Sequence, residues 1–444
     1  SGLVGSEMCI RDSRVEFTTE MKRDYTILVP NMAPIHFGLL RNVFINYGYR
    51  MEILQNDGRA VVDAGLKYVH NDICYPALLV IGQFLDALSS GRYDPHKVAL
   101  MITQTGGGCR ASNYIHLLRK ALAKAGYGYV PVISLSMTGL EKNSGFRITF
   151  SVLRMAIAAL AYGDLLMSLD NQTRPYEKRP GDSAAAVARW QERLSDLLAK
   201  GKGCFVRDVK RISKQIAAEF DAIPVYPKNK LKVGIVGEIY VKYSALGNNG
   251  LEKFLFEQGC EVCLPGILGF AMYMAENSVI GYELYGGSAV IKTAAAAARR
   301  YLYSFERAIA DAAKSCKNLT YYGDFAETRR LASEVIGLGC KMGEGWLLPG
   351  EMMELIENGF VNIVCAQPFG CLPNHIVGKG VIRRIRELRR EANIVPIDYD
   401  PGATRVNQEN RIRLMLAVAR EKQNEGGTGA SCAEQTEKSE ILTS

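Results

Sequence analysis

Apolar and polar positions follow two alternating periods along residues 21–149. Short apolar runs such as YTILVP, VALMITQ and VPVISLS have the length of buried strands. Between them lie segments with apolar residues at helical spacing, including PALLVIGQFLDALSSG and SNYIHLLRKALAKAG. Short strands that alternate with longer helices predict a parallel sheet with helices on both faces. We therefore expect a doubly wound α/β domain over residues 21–149.

The pattern changes at residue 150 and returns at residue 229. Residues 150–228 have nearly continuous helical spacing, broken by the proline-containing segment TRPYEKRPGD, and predict a helical bridge. Residues 229–420 alternate again, from VGIVGEIYV through NIVCAQ to IVPIDYD, with an alanine-rich helical insertion. The expected fold class is α/β, with two doubly wound parallel-sheet domains and an intervening helical layer.

Both ends of the chain differ from this pattern. Residues 1–20 are expected to be extraneous or disordered, because SGLVGSEMCIRDS has no periodicity and resembles a translated sequencing adapter. Residues 421–444 are polar, contain glycine and lack an apolar face, which predicts a disordered tail.

Composition limits the classes of function. The net charge of +8 is spread along the chain and suits an anionic ligand or an acidic partner. The basic helix GVIRRIRELRREA has neither a recognised module nor interleaved aromatics, so nucleic-acid binding is not expected. The longest apolar stretch contains Arg154 and Asp164, so a membrane span is not expected either. Eleven cysteines without a dense disulfide pattern, and no secretory signal, indicate a reducing cytoplasm.

Three cysteines stand in loop-like settings directly after apolar runs: Cys74 in NDICYPALLV, Cys109 in TQTGGGCRASNY and Cys371 in CAQPFGCLPNH. Nearby glycine and proline let the backbone approach a compact anion, and we expect this environment to favour thiolate over thiol. Cys109 and Cys371 follow predicted strands of different domains, where ligands of doubly wound sheets bind. Isolated buried cysteines commonly act as small apolar residues, but three converging thiols predict an iron-sulfur cluster.

Other side chains near these cysteines are candidates for supporting roles. Arg110 could offset cluster charge, and Ser112 and Asn113 could donate hydrogen bonds to sulfide or simply cap a helix. His375 suits a hydrogen bond beside the cluster, or a helix cap, better than direct ligation. Cys365, inside the strand NIVCAQ, is either a fourth ligand or a core residue.

Two further features have less specific sequence signals. The pair Cys260 and Cys263 has a spacing used by zinc and redox sites, but its alternation along a strand favours packing. Glu238, at the end of a predicted strand, is a base, a substrate anchor or a surface carboxylate, and the sequence identifies no partner carboxylate for it.

Residues 25–420 resemble the C-terminal region of acyl-CoA dehydratase activase-related proteins, within the 2-hydroxyacyl-CoA dehydratase superfamily. The segments that carry the resemblance are VPNMAPIHFGLL, GLKYVHNDICYPALLVIGQ, MITQTGGGCRASNY, LKVGIVGEIYV, CAQPFGCLPNHIVGKG and NIVPIDYDPGATRVNQENRI. The resemblance implies two flavodoxin-like domains with a helical part. It also implies an oxygen-sensitive 4Fe-4S cluster of anaerobic metabolism, held by the thiolates of Cys74, Cys109 and Cys371.

The resemblance implies partners as well. An ATP-driven activase, fused upstream or separate, would inject one low-potential electron, and the substrate would be an acyl-CoA that loses its 2-hydroxyl through a ketyl radical. Related proteins hold a double-cubane cluster and reduce small molecules, and a non-catalytic electron-transfer or scaffold module that docks the activase is a further alternative. The surroundings GGGCR and FGCLPNHI differ from those in the dehydratases, so the resemblance does not fix the substrate.

Overall fold

The computed structural model describes residues 14–70, 73–104, 108–136, 141 and 143–440, with side chains throughout except at 104, 136 and 425–440. It contains two four-stranded sheets in which all neighbouring strands are parallel. The predicted α/β class with two parallel-sheet domains is confirmed.

The first sheet has the strand order β2-β1-β3-β4. Its strands are β1 (Thr26–Val29), β2 (Arg50–Ile53), β3 (Val98–Gln104) and β4 (Val132–Ser136). Helices Pro34–Asn46, Arg59–Tyr68, Tyr75–Ser89 and Tyr114–Lys124 connect and cover them, with a short helix Met21–Asp24 in front and 3₁₀ turns at Pro95–Lys97 and Arg110–Asn113. Helix Arg59–Tyr68 is absent from the predicted elements, because its exposed polar face leaves only a narrow apolar stripe.

The second sheet repeats this topology with the order β6-β5-β7-β8. Its strands are β5 (Lys232–Gly237), β6 (Glu261–Cys263), β7 (Asn362–Pro368) and β8 (Asn393–Tyr399). The covering helices are Ile239–Tyr243, Ala245–Asn248, Leu251–Glu257, Phe325–Val335, Leu347–Glu357 and Ile382–Leu388, with a π-helix at Asn374–Lys379. The helical insertion consists of the packed pair Ile267–Tyr285 and Ala289–Ala313.

The predicted helical bridge consists of helices Phe150–Thr173, Asp182–Ala199 and Val206–Asp221. The first of these is long and apolar enough to cross a membrane, but 72% of its most apolar window is buried inside the protein. Asp164 on this helix bonds the His36 ring at 2.8 Å and accepts from the backbone N–H groups of Ile267 and Leu268. This buried carboxylate therefore ties the first domain, the bridge and the insertion together.

The two ends of the chain differ from what the sequence predicts. Phe17 is fully buried and its backbone N–H bonds Asn143, so residues 14–20 belong to the fold, while residues 1–13 lie outside the described residues. A single core aromatic leaves no periodic signal in the sequence. The last helix spans Arg405–Glu440 and so includes the backbone of residues 421–440.

Candidate metal centre

The site lies where the carboxyl ends of the two sheets face each other. In a sheet of order 2-1-3-4, strands 1 and 3 of the chain are neighbours. The connection after strand 1 and the connection after strand 3 run in opposite directions, which opens a crevice between these two strands at their carboxyl ends. In this chain Cys109 follows β3, Glu238 follows β5 and Cys371 follows β7. The topology therefore brings loops from both domains to one place, although they are far apart in sequence.

Cys74, Cys109 and Cys371 all line one cavity at this place, which we call the cysteine cavity. Its volume is about 200 Å³, whereas a single water needs only about 10–15 Å³ on the same measure. Burial is nearly complete for Cys74 and Cys371, and Cys109 is half-buried. The three cysteines, far apart in sequence, thus border the same cavity.

The loop that carries Cys371 lies directly on the loop that carries Cys74. The backbone N–H of Tyr75 donates to the carbonyl of Phe369 at 3.0 Å. Gly370 has φ +75°, and a Cβ at this position would lie 3.1 Å from the Cα of Cys74. Glycine is therefore required both by the left-handed backbone and by the close approach of the two loops.

The other predicted site residues divide into two groups. Arg110 lines the cysteine cavity beside Cys109. The hydroxyl of Ser112 donates to the carbonyl of Cys109 at 2.8 Å, so it supports the backbone of that loop. Asn113 is exposed and His375 is half-exposed on the π-helix, and neither residue lines the cavity. Residues 105–107, which precede Gly108 in the TGGGC segment, lie outside the described residues.

Cys365 does not join the three thiols. It is completely buried on β7 in an apolar cluster with Val377 and Ile382, and it does not line the cysteine cavity. A side chain in the middle of a strand points into one of the two packed faces, which is why this thiol is held away from the strand end. Cys260 and Cys263 are likewise buried in two different apolar clusters, as packing predicts.

Two polar side chains lie within hydrogen-bond distance of the sulfur atoms. The Tyr114 hydroxyl lies 2.8 Å from Cys74 Sγ, and the Asn374 amide donates to Cys371 Sγ at 3.2 Å. Burial raises the pKa of Tyr114 well above its ordinary value, so the phenol keeps its proton and can donate to a thiolate. The sequence gives no signal for Tyr114, because it resembles any apolar position of helix Tyr114–Lys124.

Two carboxyl groups lie in the same cavity. Glu238 Oε2 accepts from the Val241 N–H at 2.9 Å, and Glu344 Oε1 accepts from the Ile239 N–H at 3.0 Å. Burial, and then the charge of Glu344, raises the pKa of Glu238 to about 8, and burial also raises the pKa of Glu344. Glu238 is therefore not a surface carboxylate. The carboxyl group that shares the cavity with it belongs to Glu344, which lies in a loop that does not follow a predicted strand.

The thiols themselves do not favour ionisation in the metal-free protein, so our expectation of a thiolate-favouring environment is wrong. Burial raises the pKa of Cys74 to about 11 and raises the pKa of Cys109 and Cys371 as well. The neighbouring carboxyls Glu238 and Glu344 add to the effect at Cys371. A cation would have to displace these protons, which makes metal binding stronger at higher pH.

In the parts of the chain that the structure describes, no group of three His, Cys, Asp or Glu side chains is close enough to hold one metal ion. A 4Fe-4S cluster binds each cysteine through a different iron and so separates the thiolates. The three thiols border one cavity, and Tyr114 and Asn374 lie within hydrogen-bond distance of two of the sulfur atoms, a donor set of the kind that such a cluster uses.

The cavity also extends away from the cysteines into the first domain. This part is lined mainly by apolar side chains: Val29, Met32, Phe37, Leu40, Phe44, Met51, Met101 and Leu135. Arg41 also lines it and donates to the carbonyl of Met51 at 3.0 Å. The cysteines are therefore not sealed, and an apolar group of a ligand has space beside them.

Comparison with known proteins does not assign this chain to a family. No protein-family model matches the chain, and the search of curated proteins found no match.

Proposed function

We propose that this chain is an iron-sulfur protein related to the 2-hydroxyacyl-CoA dehydratases. In this proposal it receives low-potential electrons from an ATP-driven activase in the reducing cytoplasm and uses them for radical dehydration or reduction of a small substrate. The observation that carries the proposal is the meeting of Cys74, Cys109 and Cys371 at one cavity between two parallel sheets. The similarity of both sheets to the flavodoxin-like order supports the same relationship.

In this proposal the three thiolates hold a 4Fe-4S cluster, which supplies an electron acceptor and an open iron of Lewis-acid character. Tyr114 and Asn374 donate hydrogen bonds to the ligand sulfurs, which fixes their orientation. Arg110 places a positive charge beside the anionic centre. The carboxyls of Glu238 and Glu344, whose pKa values burial raises, line the cavity wall, where a leaving hydroxyl group or a reduced substrate needs a proton donor.

The shape of the cavity favours an enzyme over an electron-transfer module. A module needs a cluster near the surface and no space for substrate, whereas an acyl thioester needs an apolar pocket next to the cluster. The apolar extension past Met32, Phe37 and Met51 provides that pocket. Because the apolar wall excludes water, it would also protect a radical intermediate from side reactions.

The proposal is tested by iron and acid-labile sulfide analysis with reduced-state EPR on anaerobically reconstituted protein. We expect about four irons per chain, and loss of the EPR signal in Cys109→Ala. The matched control is Cys316→Ala, a partly buried cysteine that does not line the cavity. About eight irons would indicate the double-cubane reductase instead. Absence of iron from the wild type, or equal loss in both variants, would refute the site.

A further inference from the structure

The cysteine cavity meets a groove of the protein surface at its end in the first domain. The residues that line this groove include Thr26 and Arg50, which begin β1 and β2, and its volume is about 670 Å³. We call it the arginine groove. The cavity and the groove share the lining residues Arg41, Met51 and Ile53, whereas the three cysteines line the cavity and not the groove. The cavity therefore has one end at the cysteines and another at the boundary with the arginine groove.

Arg41 places a positive charge in the mainly apolar part of the cavity. Its Nε donates to the carbonyl of Met51 at 3.0 Å, and its Nη1 lies 3.5 Å from Oδ1 of Asn42. Both partners are neutral, and a guanidinium has more N–H donors than these two contacts use. The charge and the remaining donors of Arg41 are therefore available to an anionic group of a ligand.

The position of Arg41 on helix Pro34–Asn46 directs it to the cavity. Residues three or four positions apart share one face of a helix, and Phe37 and Phe44, which stand at these distances from Arg41, also line the cavity. Arginines often pack their stem on apolar surface while the charged head stays in water. Here the head bonds the carbonyl of Met51, a buried residue within β2, so the guanidinium lies at the boundary between the cavity and the groove.

The charges of the arginine groove favour an anion at the same place. Its charged lining residues are Arg41, Arg50, Glu52 and Arg92. Arg92 Nη2 pairs with Glu52 Oε1 at 2.5 Å, so these two charges balance each other. Arg41 and Arg50 leave the groove positive, and a concave surface of one sign concentrates ligands of the opposite sign.

The size and the walls of the cavity limit the rest of the ligand. An apolar cavity of about 150 Å³ holds a benzene molecule, and the cysteine cavity has a volume of about 200 Å³. It therefore accommodates an apolar group of roughly six to eight carbon atoms. Since apolar side chains form most of the wall between Arg41 and the cysteines, polar substituents along this group would lose their hydration without gaining partners.

We propose that the apolar part of the cysteine cavity binds a compact apolar group that ends in a carboxylate, and that Arg41 binds this carboxylate. The planar guanidinium matches the two oxygens of a carboxylate. The consequence for specificity rests on the proposed function: among acyl substrates, those whose chain ends in an anionic group are preferred to those that end in a methyl group. Arg41 determines this preference and contacts no reacting atom.

The test compares octanoate with octanamide, which have the same chain and differ in charge, by titration calorimetry on metal-free protein at pH 7. We expect octanoate to bind wild type at least about tenfold more tightly, equivalent to about 1.4 kcal/mol. Arg41→Met should abolish this preference and leave the affinity for octanamide within about twofold of wild type. Arg50→Met is the matched control, because Arg50 lines the groove but not the cavity and is exposed, and it should keep the preference.

A second variant tests the location of the ligand. Met32 is half-buried and lines the cavity but not the groove, so Met32→Trp should fill part of the cavity and weaken the binding of both ligands. Unchanged binding in Met32→Trp would place the ligand elsewhere and refute the proposal.

The comparison of the two ligands separates recognition by Arg41 from a structural role. Absence of binding to wild type, equal affinity of wild type for both ligands, or an equal loss of both ligands in Arg41→Met would each refute the proposal. All of these measurements are made without iron. Absence of a cluster from reconstituted wild type would therefore reject the proposed function and leave the binding result valid.

Discussion

Replacing Gly370 with alanine tests whether the Cys371 loop rests on the Cys74 loop as the structure describes. The new Cβ would lie 2.9 Å from Nη1 of the Arg110 side chain, 3.1 Å from the Cα of Cys74 and 3.3 Å from the carbonyl oxygen of Ile73, and the last two are backbone atoms. Contacts this short require the two loops to separate by a few tenths of an ångström. The perturbation therefore acts on the spacing between two proposed cluster ligands.

The cost has two parts. An alanine at φ +75° loses about 1–2 kcal/mol through backbone strain, and overpacking against the Cys74 loop adds about 1–3 kcal/mol. Gly359 provides a matched control, because it has φ +83° and a Cβ there meets nothing within 4 Å. Gly359→Ala therefore carries the strain alone, and the difference between the variants isolates the contact.

The assay is urea unfolding of both variants, followed by iron content after reconstitution. We expect Gly370→Ala to lose about 1–3 kcal/mol more than Gly359→Ala, with similar denaturant slopes. We also expect it to bind less iron under conditions where both variants are folded. Equal destabilisation of the two variants would refute the loop contact, and equal iron content would refute its role in spacing the ligands.

Three further predictions concern buried polar groups. Burial raises the pKa of Glu306 from 4.5 to about 8, so the native state binds the extra proton and stability falls as the pH rises through this interval. Glu306→Gln should reduce that fall, measured by urea unfolding, by about 2–4 kcal/mol, and an unchanged pH dependence would contradict the assignment. Asp164→Ala removes the shared partner of His36 and of two helix N–H groups. Thermal unfolding should show that the free energy of unfolding falls by about 3–5 kcal/mol. A fall below about 1 kcal/mol would contradict the role of Asp164 in joining these elements. Tyr114→Phe removes the donor 2.8 Å from Cys74 Sγ and should lower the reduction potential of reconstituted protein in an EPR-monitored titration, while an unchanged potential would show that the phenol does not bond the ligand.

The sequence pattern was sufficient for the architecture. Runs such as VALMI and NIVCAQ are buried on both faces of a parallel sheet, so they contain few polar residues and are easily distinguished from the amphipathic helices between them. The pattern did not predict elements in which a single residue or one narrow face of a helix is buried. Phe17 joins the core as a single residue, and helix Arg59–Tyr68 contacts its neighbour through Gly65, whose Cβ would collide with Leu78.

The candidate site was predictable only in part. Cys109 and Cys371 follow strands, and strand ends in doubly wound sheets are where ligands bind, so their convergence follows from topology. Glu344 and Tyr114 could not be found in this way, because one lies in an irregular loop and the other at an ordinary helical position. The ionisation of the thiols was also predicted wrongly, because local glycine and proline do not reveal how completely Cys74 and Cys371 are buried.

By itself, the sequence determined the order of the strands and of most helices, the division into two sheets and the three cysteines placed at loop positions. These properties depend on residues that are near one another in the chain. Only the tertiary structure decided that Glu238 and Glu344 share the cysteine cavity, that Cys365 stays in the core, and that Lys242 pairs with Glu351. Such contacts join residues about a hundred positions apart, and desolvation at those contacts sets the charge of each group.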